Sequence, residues 1–573
     1  MSKAGNRARV CGAAVAAIAG LVSVALRAQV APPAADVARA RGVAFERAVS
    51  ASHRLLDAWL QAADPKTLLL PDRLEDPKVR IYNPHNSGAD LYPYLILTAQ
   101  LTDPARYRGR LMEMLRNEVR YTTAYRSIPG SLDLTTGVLS GPSLFGAGEY
   151  AKDGLIAVTE YLGRGPWFSR MVDLIADAMD YASVQSQFGA LPARDAELNG
   201  DYLQALVRLY TMTGEPRFLE WARRIGDAYV QEVLPGSFGV PAMTWDFEKH
   251  TGERRLRLRD HGNETVVGLV MLFTLEHELK TPRAAQYQPV LARMLDRILA
   301  SANEDGMLYN EVDPETLAPR DKGLSDNWGY VYGAVYAFHQ ATGEAKYQQA
   351  VRRVLGNLPK YRKHVWEPRR GLPLGSFDGY ADTIESAIYL VNREPVGAAL
   401  EWIDSEMAVM LDMQRPDGRV EDWYGEGNFN RTALLYAYMK SQGVRPEAWE
   451  PGVRVGAARD GDRLVVDIVA KAPRRFQFDT VRHRRVLNFA KNYVRLNEFP
   501  EWFTVDDNRL YRVTRQSTSN TSATSRGVTI GGIVDPSEVR LGSELAAGVE
   551  FSTGTWIVEP IPGPPYGEQK LLP

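Results

Sequence analysis

Apolar and charged stretches alternate along this chain with a long period. LYPYLILTAQLTDPARYRGRLMEML from Leu91, DYLQALVRLYTMTGEPRFLEWARRIGDAYV from Asp201, TVVGLVMLFTLEHELKTPRAAQYQPVLARML from Thr265 and GYVYGAVYAFHQATGEAKYQQAVRRVL from Gly329 share one design. In each, an apolar helix passes through a short turn into an amphipathic helix with charges on its outer face. The unit is a helical hairpin that returns about every fifty to sixty-five residues, against roughly 20 to 50 in common solenoids. One hairpin cannot bury its own apolar helix, so copies must stack, and this spacing suits a closed ring of inner and outer helices. After RPEAWEPGVRVG the period changes. RLVVDIVAKA, RRFQFDTV, EWFTVDD, RLYRVTRQ, GVTIGGIV and GVEFSTGTWIVEPI are short, β-branched and aromatic runs between turn residues, as strands should be.

A second regularity places the chemistry. A polar and aromatic cluster stands before or at the start of each apolar helix: NPHNSGADLY (Asn83 to Tyr92), GAGEYAKDG (Gly146 to Gly154), ELNGDY (Glu197 to Tyr202), RDHGNET (Arg259 to Thr265), SDNWGY (Ser325 to Tyr330), FDGYADTIES (Phe377 to Ser386) and DWYGEGNFNR (Asp422 to Arg431). In a ring of hairpins the inner helices all point one way, so these clusters are expected to converge on one rim.

The expected organisation is a signal peptide over residues 1–30, a leading helix and linker over 31–82, the ring over 83–447 and a β domain over 448–573. The first segment has Lys3, Arg7 and Arg9 ahead of an apolar run from about Val10 to Leu26, then Arg27 and a Pro/Ala stretch. This pattern predicts export to a bacterial periplasm or medium, with no membrane association once the peptide is cleaved. Cleavage would remove those four basic residues and no acid, leaving 64 Lys and Arg against 70 Asp and Glu. It would also remove Cys11, the only cysteine, so no internal disulfide is expected.

Composition, at 45% hydrophobic and 24% charged, allows a large core. The near-neutral balance has no long basic run, so no nucleic-acid partner is expected. HExxH, EF-hand, GxGxxG and Walker patterns are missing, which predicts no cofactor and no metal centre; a carboxylate-bound Ca²⁺ is the one metal chemistry left open. A GxSxG elbow is missing too, against an esterase of the α/β-hydrolase type. Oligomeric state is not legible.

A helical ring followed by a small β domain resembles the (α/α)-toroid carbohydrate-active enzymes, among them unsaturated glucuronyl hydrolases, related six- and seven-hairpin glycosidases and toroid polysaccharide lyases. The resemblance covers about Asn83 to the C-terminus. It implies a mainly α fold, an (α/α) toroid of six or seven hairpins with a small antiparallel β-sheet domain, and a secreted enzyme acting on oligo- or polysaccharide, with uronic acids as one possible component.

Glycoside hydrolysis uses two carboxyl groups, one protonated and one ionised. Glu149, Asp153, Asp201, Glu264, Asp326, Asp382, Glu385 and Glu426 all fall in the clusters, where a carboxylate can equally cap a helix. Asp201 and Glu264, each near a glycine on neighbouring inner helices, are the first candidates for acid and base, followed by Asp326 and Asp382. Sugar rings stack on aromatics, for which Tyr92, Tyr94, Tyr150, Tyr202, Trp328, Tyr330, Tyr380, Trp423 and Tyr424 are candidates. His85, Asn86, Lys152, His261, Asn263, Glu426 and Arg431 complete the expected binding set. A lyase acting by β-elimination would use the same rim differently, with His85, Asn86, His261, Asn263 or Arg431 neutralising a uronate and Tyr202 or Tyr330 taking the proton. A non-catalytic binding ring and a sugar isomerase working through a His pair are the remaining readings.

Overall fold

The computed structural model describes residues 33–75, 78–259, 262, 264–516 and 537–562. The expected signal peptide lies outside them. In chain order the ring is built from α1 (Ala34–Ala62), α2 (Tyr92–Thr102), α3 (Met112–Thr122), α4 (Ile156–Leu162), α5 (Pro166–Tyr181), α6 (Ala196–Thr213), α7 (Pro216–Ala228), α8 (Glu264–Glu278), α9 (Pro282–Ala300), α10 (Trp328–Thr342), α11 (Ala345–Asn357), α12 (Phe377–Val391), α13 (Gly397–Asp412) and α14 (Glu426–Ser441). Even-numbered helices line the centre and odd-numbered helices form the outer layer.

Sequence explains the division. The inner helices are apolar nearly all round: in α2 only Gln100 is not buried, and in α14 only Asn428. Outer helices bury one stripe, as α9 does with Tyr287, Leu291, Met294, Leu295 and Ile298. Each inner helix, or the turns leading into it as at residues 144–155 before α4, packs on the next, and α14 returns to α2, so the inner layer closes with seven members. The leading helix α1 fills the outer position beside α14 and α2. That settles the hairpin number at seven, the seventh pair joining the first and last helices of the ring.

The starts of the inner helices meet at one level. A side chain added at Gly200 in α6 would strike the backbone of Glu264 at 2.3 Å, and one added at Gly427 in α14 would strike the carbonyl oxygen of Asp90 at 1.8 Å. Only glycine allows helices to approach that closely. Two inner helices are entered through π-helical turns, Pro84–Leu91 before α2 and Tyr150–Leu155 before α4. Such wide turns recur at functional sites.

The C-terminal module contains a five-stranded antiparallel sheet of β1 (Arg454–Asp460), β2 (Arg463–Val469), β3 (Leu510–Arg515), β4 (Ser537–Leu541) and β5 (Gly554–Pro560), in the order β1-β2-β5-β3-β4. Strand β1 packs on α1, where the Arg41 guanidinium donates to the carbonyl of Ala457 at 2.8 Å.

Between β2 and β3 the chain crosses the far mouth of the ring. Arg495 meets Glu160 of α4 at 3.4 Å, the Leu496 carbonyl accepts from Arg208 of α6 at 2.7 Å, and the Asn492 carbonyl accepts from Gln340 of α10 at 3.0 Å. The amide of Ala490 donates to Glu278 of α8, Glu498 pairs with Arg393 just past α12, and the Phe503 amide donates to the Gln442 carbonyl just past α14. Six of the seven inner helices are thus tied to one crossing segment.

Candidate active site

At the other mouth the inner-helix starts bring acids from five of the seven clusters into the lumen. Two cations organise them. Lys152, on the π-helical turn before α4, is 4% exposed, and its Nζ lies 2.7 Å from Asp153, 2.9 Å from Glu264 and 3.6 Å from Asp201. Glu149, one turn earlier, interacts with both Asp153 and Asp201. Across the lumen Arg431 of α14 donates to Asp382 at 2.7 Å and pairs with Glu385, both from α12. The Tyr330 hydroxyl of α10 sits 3.2 Å from Glu385 and 3.3 Å from Asp382, and the Arg431 guanidinium lies 5.8 Å from the Tyr94 ring centroid.

Burial and charge divide the protonation states. Desolvation raises Glu149 and Asp201 well above the usual carboxylate range, with neighbouring acids adding to the effect. It raises Glu264 to about 7 and Glu385 to about 8, where Lys152 and Arg431 respectively oppose it. Asp153 is partly desolvated as well, yet Lys152 and hydrogen bonds from Glu149 and Asn497 outweigh that effect and hold it well below the ordinary value. Asp90 and Asp378 are raised by burial and then by neighbouring carboxylates, Asp153 in the first case and Asp382 in the second. Burial thus pushes several lumen carboxyls toward the protonated form while Lys152 pulls Asp153 toward the ionised one, the kind of division acid–base chemistry uses.

Exposure separates two layers. Asp201 is fully buried, while the side chains of Asp153 and Asp382 retain 16% and 17% of their surface, and Asp90 and Asp378 are also partly open. The first candidate pair, Asp201 and Glu264, is thus in the inner layer around Lys152. Asp326 belongs to an ionic belt on the rim, where Arg259 bridges it at 3.2 Å to Glu367 at 2.7 Å, and Arg369 links Glu367 to Glu421.

Several expected binding residues have other tasks. Tyr92 is buried between layers, its hydroxyl donating to the Leu111 carbonyl and accepting from Trp167. Tyr202 donates to the Leu144 carbonyl, Tyr380 to the His364 carbonyl, and Trp328 to Thr383. Tyr150 is fully buried near Glu118 and Arg170 of the outer layer. Successive helical residues point about 100° apart, so an aromatic beside a lumen acid turns into the wall. Glu426 caps its own approach loop: one oxygen accepts from the amides of Val420, Glu421 and Asp422, and the other from Trp59. Asn86 donates to Asp72 at 2.7 Å, and His85 packs on Phe145 with its pKa lowered by burial. Trp423 stays at the rim under Arg369, next to Tyr424. His261 and Asn263 lie outside the described residues.

Sequence reasoning missed Asp90, Asp378 and Asn497. The two aspartates stand in clusters already singled out, but nothing in the strings separates a lumen acid from a capping one. Asn497 comes from the C-terminal module and has no local signal at all. Among the described residues no group of three or more His, Cys, Asp or Glu has the arrangement of a metal site, and no helix is long and apolar enough to cross a membrane.

No family model matches the chain, and no curated protein matches it. Among solved structures it is similar to the unsaturated glucuronyl hydrolase of Bacillus sp. GL1, at 14% identity over 50% of this chain and 84% of the other, with a TM-score of 0.36. The family 76 glycoside hydrolase (mannosidase) Bt3792 of Bacteroides thetaiotaomicron VPI-5482 is 11% identical over 68% and 98% of the two chains, with a TM-score of 0.40. A D-mannose isomerase is 12% identical over 58% and 87%, with a TM-score of 0.43.

Proposed function

We propose that this chain is a glycoside hydrolase acting on a glycan in which the residue bound in the lumen is neutral or basic. The observation that carries the reading is the gathering of partly open carboxyls at one mouth of the ring, with Asp153 against the Lys152 ammonium and Asp382 against Arg431. Asp90 is held protonated and is the proton donor to the leaving oxygen; Asp153, held ionised by Lys152, is the partner that acts as base or nucleophile. Glu149, Asp201 and Glu264 form a buried proton-holding layer around Lys152.

The charge of the lumen also bears on substrate. Asp90, Glu149, Asp153, Asp201, Glu264, Asp378, Asp382 and Glu385 face two cations, and both cations are already bonded to carboxylates. Among the described residues both lumen cations are thus committed, which supports a neutral or basic glycan over a uronide and hydrolysis over β-elimination. The N-terminal pattern of basic residues followed by an apolar run supports export to the periplasm or medium.

The test is to incubate the full-length mature protein with a panel of neutral, amino-sugar and uronic-acid glycans, following new reducing ends and the ultraviolet absorbance of a newly formed double bond. New ends without absorbance, on neutral or amino-sugar glycans, support the proposal. New absorbance on uronides overturns it in favour of elimination.

A further inference from the structure

Asn497 reaches the acid cluster from the opposite side of the ring. It is 2% exposed, and its Nδ2 donates to Asp153 Oδ1 at 2.9 Å and to the Lys152 carbonyl at 3.2 Å. Among the described residues its Oδ1 is buried with no hydrogen-bond partner. An unmatched buried amide oxygen costs stability, so packing alone does not account for an asparagine here. The backbone at Asn497 has φ of 59°, in the left-handed region that Asn tolerates better than most residues.

Its neighbours hold it rigidly. Arg495 donates to the Tyr493 carbonyl at 2.7 Å and pairs with Glu160 and Glu498, while Glu498 pairs with Arg393 at 2.8 Å. Arg208, in turn, binds both Glu160 and the Leu496 carbonyl. These buried pairs deliver one amide to one carboxylate.

We propose that Asn497 is a positioning residue for Asp153, so that the active site is built jointly by the ring and the C-terminal module. The catalytic consequence rests on the reading of Asp153 as the ionised partner; the placement does not. Asp153 is otherwise faced by Lys152 and Glu149 on its own turn, Asp90 and Tyr94 from the α2 side, Asp201 and Glu264 from α6 and α8, and Tyr330 and Glu385 from α10 and α12. Arg431 of α14 is committed to Asp382 and Glu385. Asn497 is thus a neutral donor among groups that mostly compete for protons.

The test is Asn497→Asp in the full chain, which keeps shape and backbone preference but sets a second carboxyl against Asp153. Two carboxyls in contact share one proton, and one of them titrates on the order of one to three units higher. The acid limb of kcat/KM is expected to move up by that amount, with kcat affected more than KM. Without any substrate, Tm relative to the wild type is expected to fall as pH rises above about 4, because the introduced carboxyl, buried beside ionised Asp153, has a folded pKa above its unfolded one. That extra slope should vanish in Asp153→Asn/Asn497→Asp. An acid limb in its wild-type place, or a Tm profile parallel to the wild type, overturns the proposal. Should Asn497→Asp not fold, Asn497→Gly keeps the left-handed backbone. Its Tm loss and that of Asp153→Asn should be less than additive, and additive losses overturn the proposal. If no glycan is turned over, the hydrolase reading fails while the Tm comparison still decides this one.

Discussion

The Lys152 ammonium stands 2.9 Å from the Glu264 carboxylate, joining the turn before α4 to the first residue of α8. Both residues are nearly buried, and Asp153 and Asp201 share the same ammonium. Removing one partner of a buried ionic group leaves uncompensated charge, which costs more than the pair contributes over an apolar replacement. Lys152→Met is therefore expected to lose about 3 kcal/mol at neutral pH. The loss should shrink on acidification through about pH 7, because Glu264, raised to about 7, then takes a proton and no longer needs the ammonium. Urea unfolding at both pH values checks this; an equal loss at each would mean that Glu264 does not titrate in this range.

Stability should fall as pH rises. Glu264 and Glu385 have folded pKa values raised to about 7 and about 8, above the unfolded carboxylate value. A raised folded pKa means that the folded state holds the proton longer. The associated stability is fully present below the unfolded pKa and is lost as pH climbs through the folded one. Tm should be higher near about pH 5 than near about pH 8, and Glu385→Gln should flatten the profile. A Tm that rises over this range would contradict the assignment.

Asp90→Asn and Asp153→Asn should each lower kcat by about 10²- to 10⁴-fold while the protein stays folded. Glu426→Gln should do the reverse. Its amide would face the Trp59 donor and strand a buried group, costing about 2 kcal/mol with kcat of the folded fraction little changed. Paired measurements of Tm and kcat separate the two behaviours. If Glu426→Gln lost activity at unchanged Tm, the division between lumen and wall would be wrong.

The glycine at the closest helix approach links fold to site. Gly427→Ala drives a methyl group into the Asp90 carbonyl, so the turn carrying Asp90 must shift. Both Tm and kcat are expected to drop, with the acid limb and alkaline limb of activity displaced relative to each other. Unchanged activity would show that the position of Asp90 is not critical.

Much of this architecture was legible in the chain. Repeated apolar-then-amphipathic helices announce a ring, because a helix buried on all sides needs neighbours on all sides, and the clusters at their starts mark the mouth. Lys152, Asp201, Glu264, Tyr330, Asp382 and Arg431 meet there as expected. What sequence could not supply was direction and distance. Tyr202 follows Asp201 by one position and turns into the wall, and Asp90 looks like any capping aspartate until its π-helical turn is seen. Asn497 lies 344 positions from Asp153 in the chain, within a segment that carries no period of its own.

The most direct test is the rate of reducing-end release from matched neutral and uronic-acid glycans by the wild type and by Asp153→Asn. The account predicts hydrolysis of neutral or amino-sugar chains, no double-bond absorbance, and near-complete loss in the variant. Faster cleavage of uronides, or full activity of Asp153→Asn, would contradict it.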